Sequence, residues 1–251
     1  MTQDECRKNR DFLKDFERLK IDFRQTDQNR GLAPPPLEKP VREGQALIEL
    51  PGTEVFAAFR GTDLCDAISG RRSRRRFLST PLQLAELAFL LWASQGVTRH
   101  LGPDCALRTV PSAGCRHAFE TYLVALRVEG LRPGLYRYLP LEHALVCERE
   151  TEELGASLPA GVLGQTFVAE AAAVLVWTAL PYRMEWRYHT AAHRVMAMDV
   201  GHVCQNLYLA CEAIGAGTCA VAAYDQEKMD ALLEVDGEEE FTLYLAPVGK
   251  V

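Results

Sequence analysis

The run AAAVLVWTAL, Ala171 to Leu180, carries no charge and a single hydroxyl. It is far short of the ~20 apolar residues that a membrane-spanning helix needs. An apolar run this short and continuous is the mark of a strand buried on both faces of its sheet, and such a sheet must be covered on both sides. The segment HTAAHRVMAMDVGHVCQNLYLACEAIGAG follows, with apolar residues on nearly every helical face and Gly215 as a stop signal. Gly201 in its interior costs about 1 kcal/mol relative to alanine, a cost that close approach of another helix offsets. From Ala191 to Ile214 the near-uniform apolarity is hard for one chain to cover, which points to burial against a second copy.

The rest of the chain supplies the other layers. STPLQLAELAFLLWASQG reads as a buried helix with a serine or threonine cap, Pro81 near its first turn and Gly96 as its stop. TYLVALRV, GLYRYLP and HALVCE read as a meander of short strands with turns at EGLRPG and LEH. CAVAAY, the helix DQEKMDALLEV and the strand EFTLYLAPVGK complete an α+β pattern, a central mostly antiparallel sheet flanked by helices. At the other end, Phe12, Leu13, Phe16 and Leu19 predict a helix over roughly Asp4 to Lys20. GLAPPPLEKP then imposes an extended path, and ALIELP predicts a short strand. Residues 1–60 cannot easily form a core of their own and are expected to wrap over the main domain, residues 61–251, or over a partner subunit.

Composition narrows the function. The chain has 251 residues, 28 Lys plus Arg against 34 Asp plus Glu, and a formal net charge of −6. Its one dense basic spot is RRSRRR at 71–76, five arginines in six positions. That is unlike a nucleic-acid binder, whose positive field covers a face, and fits a local counter-anion. MTQDECRKNRDFLKDFERLK has no apolar core of a secretory signal, and the eight cysteines form no CxxC pair. Isolated thiols of this kind fit a reducing compartment, and the expectation is a cytoplasmic protein with no membrane segment.

Four stretches can carry chemistry. In SGRRSRRRF, a helical turn would put Arg71 and Arg75 on one face with Arg72 and Arg76 beside them, and Ser73 adds a hydroxyl. Guanidinium forks match phosphate oxygens, although a solvated basic turn or a dock for an acidic partner has the same composition. In RTVPSAGCRHAFETYL, Pro111 stiffens the chain while Ser112, Ala113 and Gly114 are small enough for the backbone to approach a flat ligand; a plain loop before a strand reads the same way. In AIGAGTCAVAAY, Gly215 and Gly217 bracket a helix-to-strand turn, which is either a cap or a set of N–H groups facing a ligand. Lys250 is the fourth. His189 and His193 share a helical spacing but lack the HExxH glutamate, so no metal is expected. Cys115 beside the loop is either a reactive thiol or a small apolar residue.

Taken together with NRDFLKDF, LAELAFLLWASQGVT and DVGHVCQNLYLACEAIGAG, these stretches resemble the nitroreductase superfamily of flavin mononucleotide (FMN) enzymes, and within it the SagB-type dehydrogenase branch. The resemblance runs from near the N-terminus to the last strand. It implies a homodimer with two FMN sites at the interface. It implies that Arg71, Arg72, Ser73 and Arg75 contact the FMN phosphate, ribityl chain and pyrimidine edge. Pro111, Ser112, Ala113 and Gly114 would lie along the ring, usually from the neighbouring subunit. Gly215, Ala216 and Gly217 would lie near its reactive edge and Lys250 near the phosphate, with Ala216 standing where the family has leucine. Arg74 and Arg76 fall outside the matched positions and read as surface residues. The branch's Lys-Tyr pair is Arg187 and Tyr188 here; an arginine stays protonated and cannot act as a general base, whereas Tyr188 can move a proton or pack at an interface. The implied activities are oxidation of azoline rings on a modified peptide, with a cyclodehydratase partner, or reduction of small-molecule quinones and nitroaromatics by NAD(P)H. A flavin-binding scaffold subunit is the reading from another class.

Overall fold

The computed structural model describes residue 7 and residues 9–251. In chain order its strands are β1 Leu47–Glu49, β2 Val97–Gly102, β3 Cys105–Arg108, β4 Phe119–Ala125, β5 Gly134–Leu139, β6 Ala144–Glu150, β7 Ala173–Ala179, β8 Ala216–Thr218 and β9 Phe241–Lys250. The α-helices are α1 Leu64–Gly70, α2 Leu84–Gln95, α3 Leu154–Gly161, α4 Tyr182–Tyr188, α5 Ala192–Ala213 and α6 Gln226–Leu233.

The apolar run forms β7, buried at every position between β4 and β9. The sheet order is β1-β6-β5-β4-β7-β9-β8, antiparallel at every ladder, and β2–β3 is a separate hairpin. Side chains on a strand alternate between faces, and the core divides accordingly. Tyr122, Val124, Val174, Val176 and Leu245 pack under α3 and α6 with Leu158 and Met229. Leu123, Leu175, Trp177, Ala246 and Val248 pack on the opposite face with Leu87, Leu91, Val203 and Leu207 of α2 and α5. Each fully buried large side chain contributes roughly 1.5–3 kcal/mol, so both layers are needed to hold β7.

Several expectations change in detail. Helix α2 begins at Leu84 with Gln83 as its cap, because the Leu82 N–H is already bonded to Arg127 O and its carbonyl accepts from Glu129 N–H. Pro81 therefore precedes the helix. CAVAAY is not a strand; β8 ends at Thr218, and Val221 bridges Leu245 alone. The basic run is extended and not a helical turn, since Arg74 N–H bonds Thr218 O and Leu78 N–H bonds Lys250 O across the sheet edge. The predicted N-terminal helix lies partly outside the described residues; residues 7 and 9–11 are helical, the later part is a 3-10 turn at Glu17–Lys20, and Phe12, Leu13, Phe16 and Leu19 are exposed because no core faces them.

Helix α5 is less uniformly covered than its sequence suggests. One face is buried, while Ala197, Met198, Gly201, His202 and Gln205 are exposed. An added Cβ at Gly201 meets nothing within 4 Å, so no element of the described chain approaches it.

The extended segment after Pro34 runs over the end of the sheet. Leu37 O accepts from Arg108, Lys39 N–H donates to Glu120, and the carbonyls of Lys39 and Pro40 accept from Arg137. Glu120 sits at 2 % exposure between Arg137 and Arg183, both buried. Burial of such a charge is tolerated only when every oxygen is paired, as it is here.

Candidate functional site

The sequence-predicted residues fall into two clusters on opposite flanks of α5.

The first surrounds the basic run. Asp63 caps α1 by accepting from the N–H groups of Cys65 and Asp66, and the helix ends at Arg71 (φ −50, ψ 132), where the chain turns extended. Arg71 stacks its guanidinium 5.2 Å from the centre of the Tyr208 ring. The Tyr208 hydroxyl is 3.0 Å from Ser73 Oγ and accepts from Ala220 N–H at 2.8 Å. Arg72 folds back to donate to Ser69 O and Arg71 O, both at 2.8 Å, capping the carbonyl end of α1. Arg75 lies 5.9 Å from the Phe167 ring centre. Among the described residues, no carboxylate comes within 4.0 Å of the nitrogens of Arg71, Arg72, Arg74, Arg75 or Arg76. Their positive charge has no neighbouring carboxylate among the described residues to offset it.

The glycine turn lies beside them. Gly215 is exposed at φ +60, a conformation glycine adopts without strain, and its open side meets nothing within 4 Å. Ala216 and Gly217 are buried in β8, paired with Lys250 and Gly249. A Cβ at Gly217 would come 2.5 Å from Arg74 Cγ and 2.7 Å from Val251 Cγ1. Gly217 is therefore required by the side chain of Arg74, not by an exposed N–H. Lys250 is engaged within the chain. Its Nζ donates to Glu86 and, at 2.6 Å, to Ile214 O, tying the start of α2 to the end of α5.

The second cluster is the Pro111–Gly114 loop. Asp199 of α5 accepts from Ala113 N–H at 3.0 Å, and burial pushes its carboxyl above the usual range. Ser112 Oγ accepts from His117 N–H at 2.9 Å. Gly114 has φ +58, and a Cβ there would lie 2.5 Å from the Tyr188 hydroxyl and 2.9 Å from Arg187 Nε. The loop backbone thus rests directly on Arg187 and Tyr188, whose guanidinium and ring are 5.6 Å apart. His189, at φ +50, breaks α4 from the turn that leads into α5. His193 is paired with Glu185 at 2.7 Å.

Asp199 and Tyr208 anchor the two clusters. Nine residues of α-helix separate them by about 13 Å along the axis and by half a turn around it. The loop and the arginines therefore meet α5 at different points along its length. Asp199, Tyr208 and Glu86 were not singled out from the sequence. The only signal for them was polarity inside otherwise apolar helices, a pattern that fixes no partner.

A central antiparallel sheet covered by helices on both faces defines an α+β protein. The family model for the nitroreductase family matches residues 68–250. The chain belongs to that family and is a nitroreductase-family oxidoreductase. A Methanocaldococcus jannaschii protein that bears the name nitroreductase is 37% identical over 185 residues, 74% of this chain and 89% of that one. A crystal structure from Ralstonia eutropha JMP134, likewise named for a nitroreductase, superposes with a TM-score of 0.67 at 28% identity, covering 88% of this chain and 95% of that one. The fold is also that of a chain in the Escherichia coli microcin synthetase McbBCD complex, at a TM-score of 0.60 and 20% identity over 85% of this chain and 78% of that one. No helix among the described residues is long and apolar enough to cross a membrane.

Proposed function

We propose that this protein is an FMN-dependent oxidoreductase that acts as a homodimer, with each flavin site built from the arginine cluster of one copy and the Pro111–Gly114 loop of the other. The observation that carries the reading is the unpaired guanidinium cluster beside the open Gly215 turn. Its donor set suits FMN: fork-shaped cations and a hydroxyl for the phosphate and the acceptor atoms of the ring edge. The different positions of the loop and the arginines along α5 support the second copy as the source of the wall over the ring.

Bound FMN would supply two-electron hydride chemistry, which belongs to the cofactor. The chain's own residues bind and orient. Arg71 and Arg75 would hold negative charge, with Arg71 fixed by the face of Tyr208 and Ser73 by its hydroxyl. Gly215 would leave the approach to the ring open. Arg72 is occupied with the end of α1 and Lys250 with Glu86, so both would act by shaping the site and adding positive potential. Ala216 and Gly217 would place the turn. On the loop side, Pro111 to Gly114 would cover the ring, Arg187 would attract a negatively charged substrate group, and Tyr188 would carry a proton to or from the substrate.

Reduction of nitroaromatics is the activity that the relatives' names favour, with NAD(P)H as the proposed donor and quinones as a further proposed acceptor. The SagB-type reading, oxidation of azolines on a modified peptide, is favoured by the contact of Tyr188 with the Gly114 loop, which would put a proton-transferring group beside the ring. Purified protein should be yellow and release FMN on denaturation. NADPH consumption with a quinone acceptor, set against turnover of an azoline peptide, separates the two activities. A colourless protein that binds no added FMN in a spectral titration overturns the proposal.

A further inference from the structure

The β2–β3 hairpin and the loop after it bring two thiols and an imidazole together. Cys115 Sγ donates to Ala106 O at 3.0 Å and lies 3.5 Å from His117 Nε2. That carbonyl belongs to the residue that follows Cys105, which opens β3, is half-buried and acts on the Cys115 thiol. Cys115 is held in left-handed backbone at φ +58, next to Gly114 at +58 and two residues before His117 at +47. Non-glycine residues occupy that region only where surrounding structure fixes them. Here Cys115 N–H bonds Ser112 O at 3.0 Å and His117 N–H bonds Ser112 Oγ at 2.9 Å.

The surroundings differ from those of the core cysteines. Cys204 and Cys211 lie buried in α5, where burial pushes the Cys204 thiol up to about 12 and the Cys211 thiol higher still. Cys115 is also raised by burial and by its neighbour Cys105, but the guanidiniums of Arg108 and Arg116 act in the opposite direction. Both cations are fixed: Arg108 donates to Gln95 and Leu37 O, and Arg116 lies 4.8 Å from the Trp186 ring centre. Burial keeps His117 neutral, with its pKa pushed down to about 3, so it adds no charge of its own.

We propose that Cys105 and Cys115 are a redox-active dithiol that low-molecular-weight disulfides oxidise to an intramolecular disulfide. Cys105 attacks one sulfur of the small disulfide as its thiolate, forming a mixed disulfide and expelling one thiolate. Cys115 then loses its proton to solvent and attacks Cys105 Sγ, expelling the second thiolate. The protein gives up two electrons and two protons, and the small disulfide leaves as two thiols. Closure joins the hairpin to the loop whose Gly114 rests on Tyr188 and Arg187. The exchange needs no flavin and stands apart from the FMN reading.

Trypsin separates the two thiols, cutting after Arg99, Arg108 and Arg116 to give HLGPDCALR and TVPSAGCR. Native protein is incubated with oxidised glutathione, quenched in acid, alkylated and digested. The expected product is the two peptides joined, lighter by two hydrogens than their sum. In Cys115→Ser, Cys105 should stall as its glutathione adduct; in Cys105→Ser, Cys115 should remain alkylatable. Full alkylation of both wild-type peptides, a stable glutathione adduct without the cross-link, or a bridge from either thiol to another cysteine overturns the proposal.

Discussion

Arg71 and Arg72 are neighbours in one basic run, yet the extended backbone gives them different work: Arg71 stacks on Tyr208 and Arg72 caps α1. Alanine at Arg71 or Arg75 should weaken FMN binding roughly ten- to a hundredfold, the loss of a charge-assisted hydrogen bond worth about 1.5–3 kcal/mol. Alanine at Arg76 should change it far less, since a solvated charge is worth ~0–1 kcal/mol. Flavin titrations in moderate salt decide this, and equal losses at all three positions would mean that the run acts only as a diffuse field. Gly114 gives a second test. Alanine there meets both a positive φ and the Tyr188 hydroxyl at 2.5 Å. Gly114→Ala should destabilise the fold by about 1–3 kcal/mol, read as a lower urea midpoint. Adding Tyr188→Phe should recover part of it by removing the oxygen. An unchanged midpoint would show that the loop does not rest on Tyr188.

The extended arm meets the β5–β6 turn through a carboxyl pair. Glu38 accepts from Leu141 N–H at 3.1 Å and shares a hydrogen bond with Glu142; burial first, then that neighbour, raises its pKa from 4.5 to about 8. The folded state therefore binds the proton that the unfolded chain releases. Stability from this group is complete below pH 4.5 and is lost as pH rises toward 8, with a slope of at most ~1.4 kcal/mol per pH unit. Urea midpoints measured across that window should fall with pH in the wild type, and Glu38→Gln should flatten the fall. A slope that persists in the variant assigns the effect to another group. The arm's extended path was legible from its prolines. Its landing place was not, because the contacts are carbonyls reaching arginines about seventy to a hundred residues away.

For the molecule as a whole, a site shared between copies has a consequence that a site within one chain lacks. An Arg71→Ala chain and a chain carrying a damaged Pro111–Gly114 loop should each bind flavin poorly alone. Subunit exchange between them should restore about a quarter of the sites, because half of the randomly mixed dimers are hybrids and each hybrid keeps one intact site. Flavin fluorescence quenching after mixing measures this. No recovery, despite exchange demonstrated with labelled chains, would place both clusters in a single-chain site. The exposed Gly201 face of α5 offers a matching test: Gly201→Arg should shift sedimentation from dimer toward monomer without lowering helix content.

Local chemistry was enough to specify β7, the strand meander, the long helix and the C-terminal ends of α2 and α5, because apolar periodicity and glycine punctuation act within a few residues. It also located the basic run and the Pro111 loop. It put the run on a helical turn, and there the tertiary structure decided otherwise: the backbone of residues 73–78 finds its hydrogen-bond partners on β8 and β9, and a paired sheet edge outweighs a weak local helical preference. Tertiary structure alone set Arg74 on Gly217, Lys250 on Glu86, and the loop and the arginines on opposite sides of α5. Those placements depend on which residues meet across the fold, and a pattern of residue types along one chain does not carry that information.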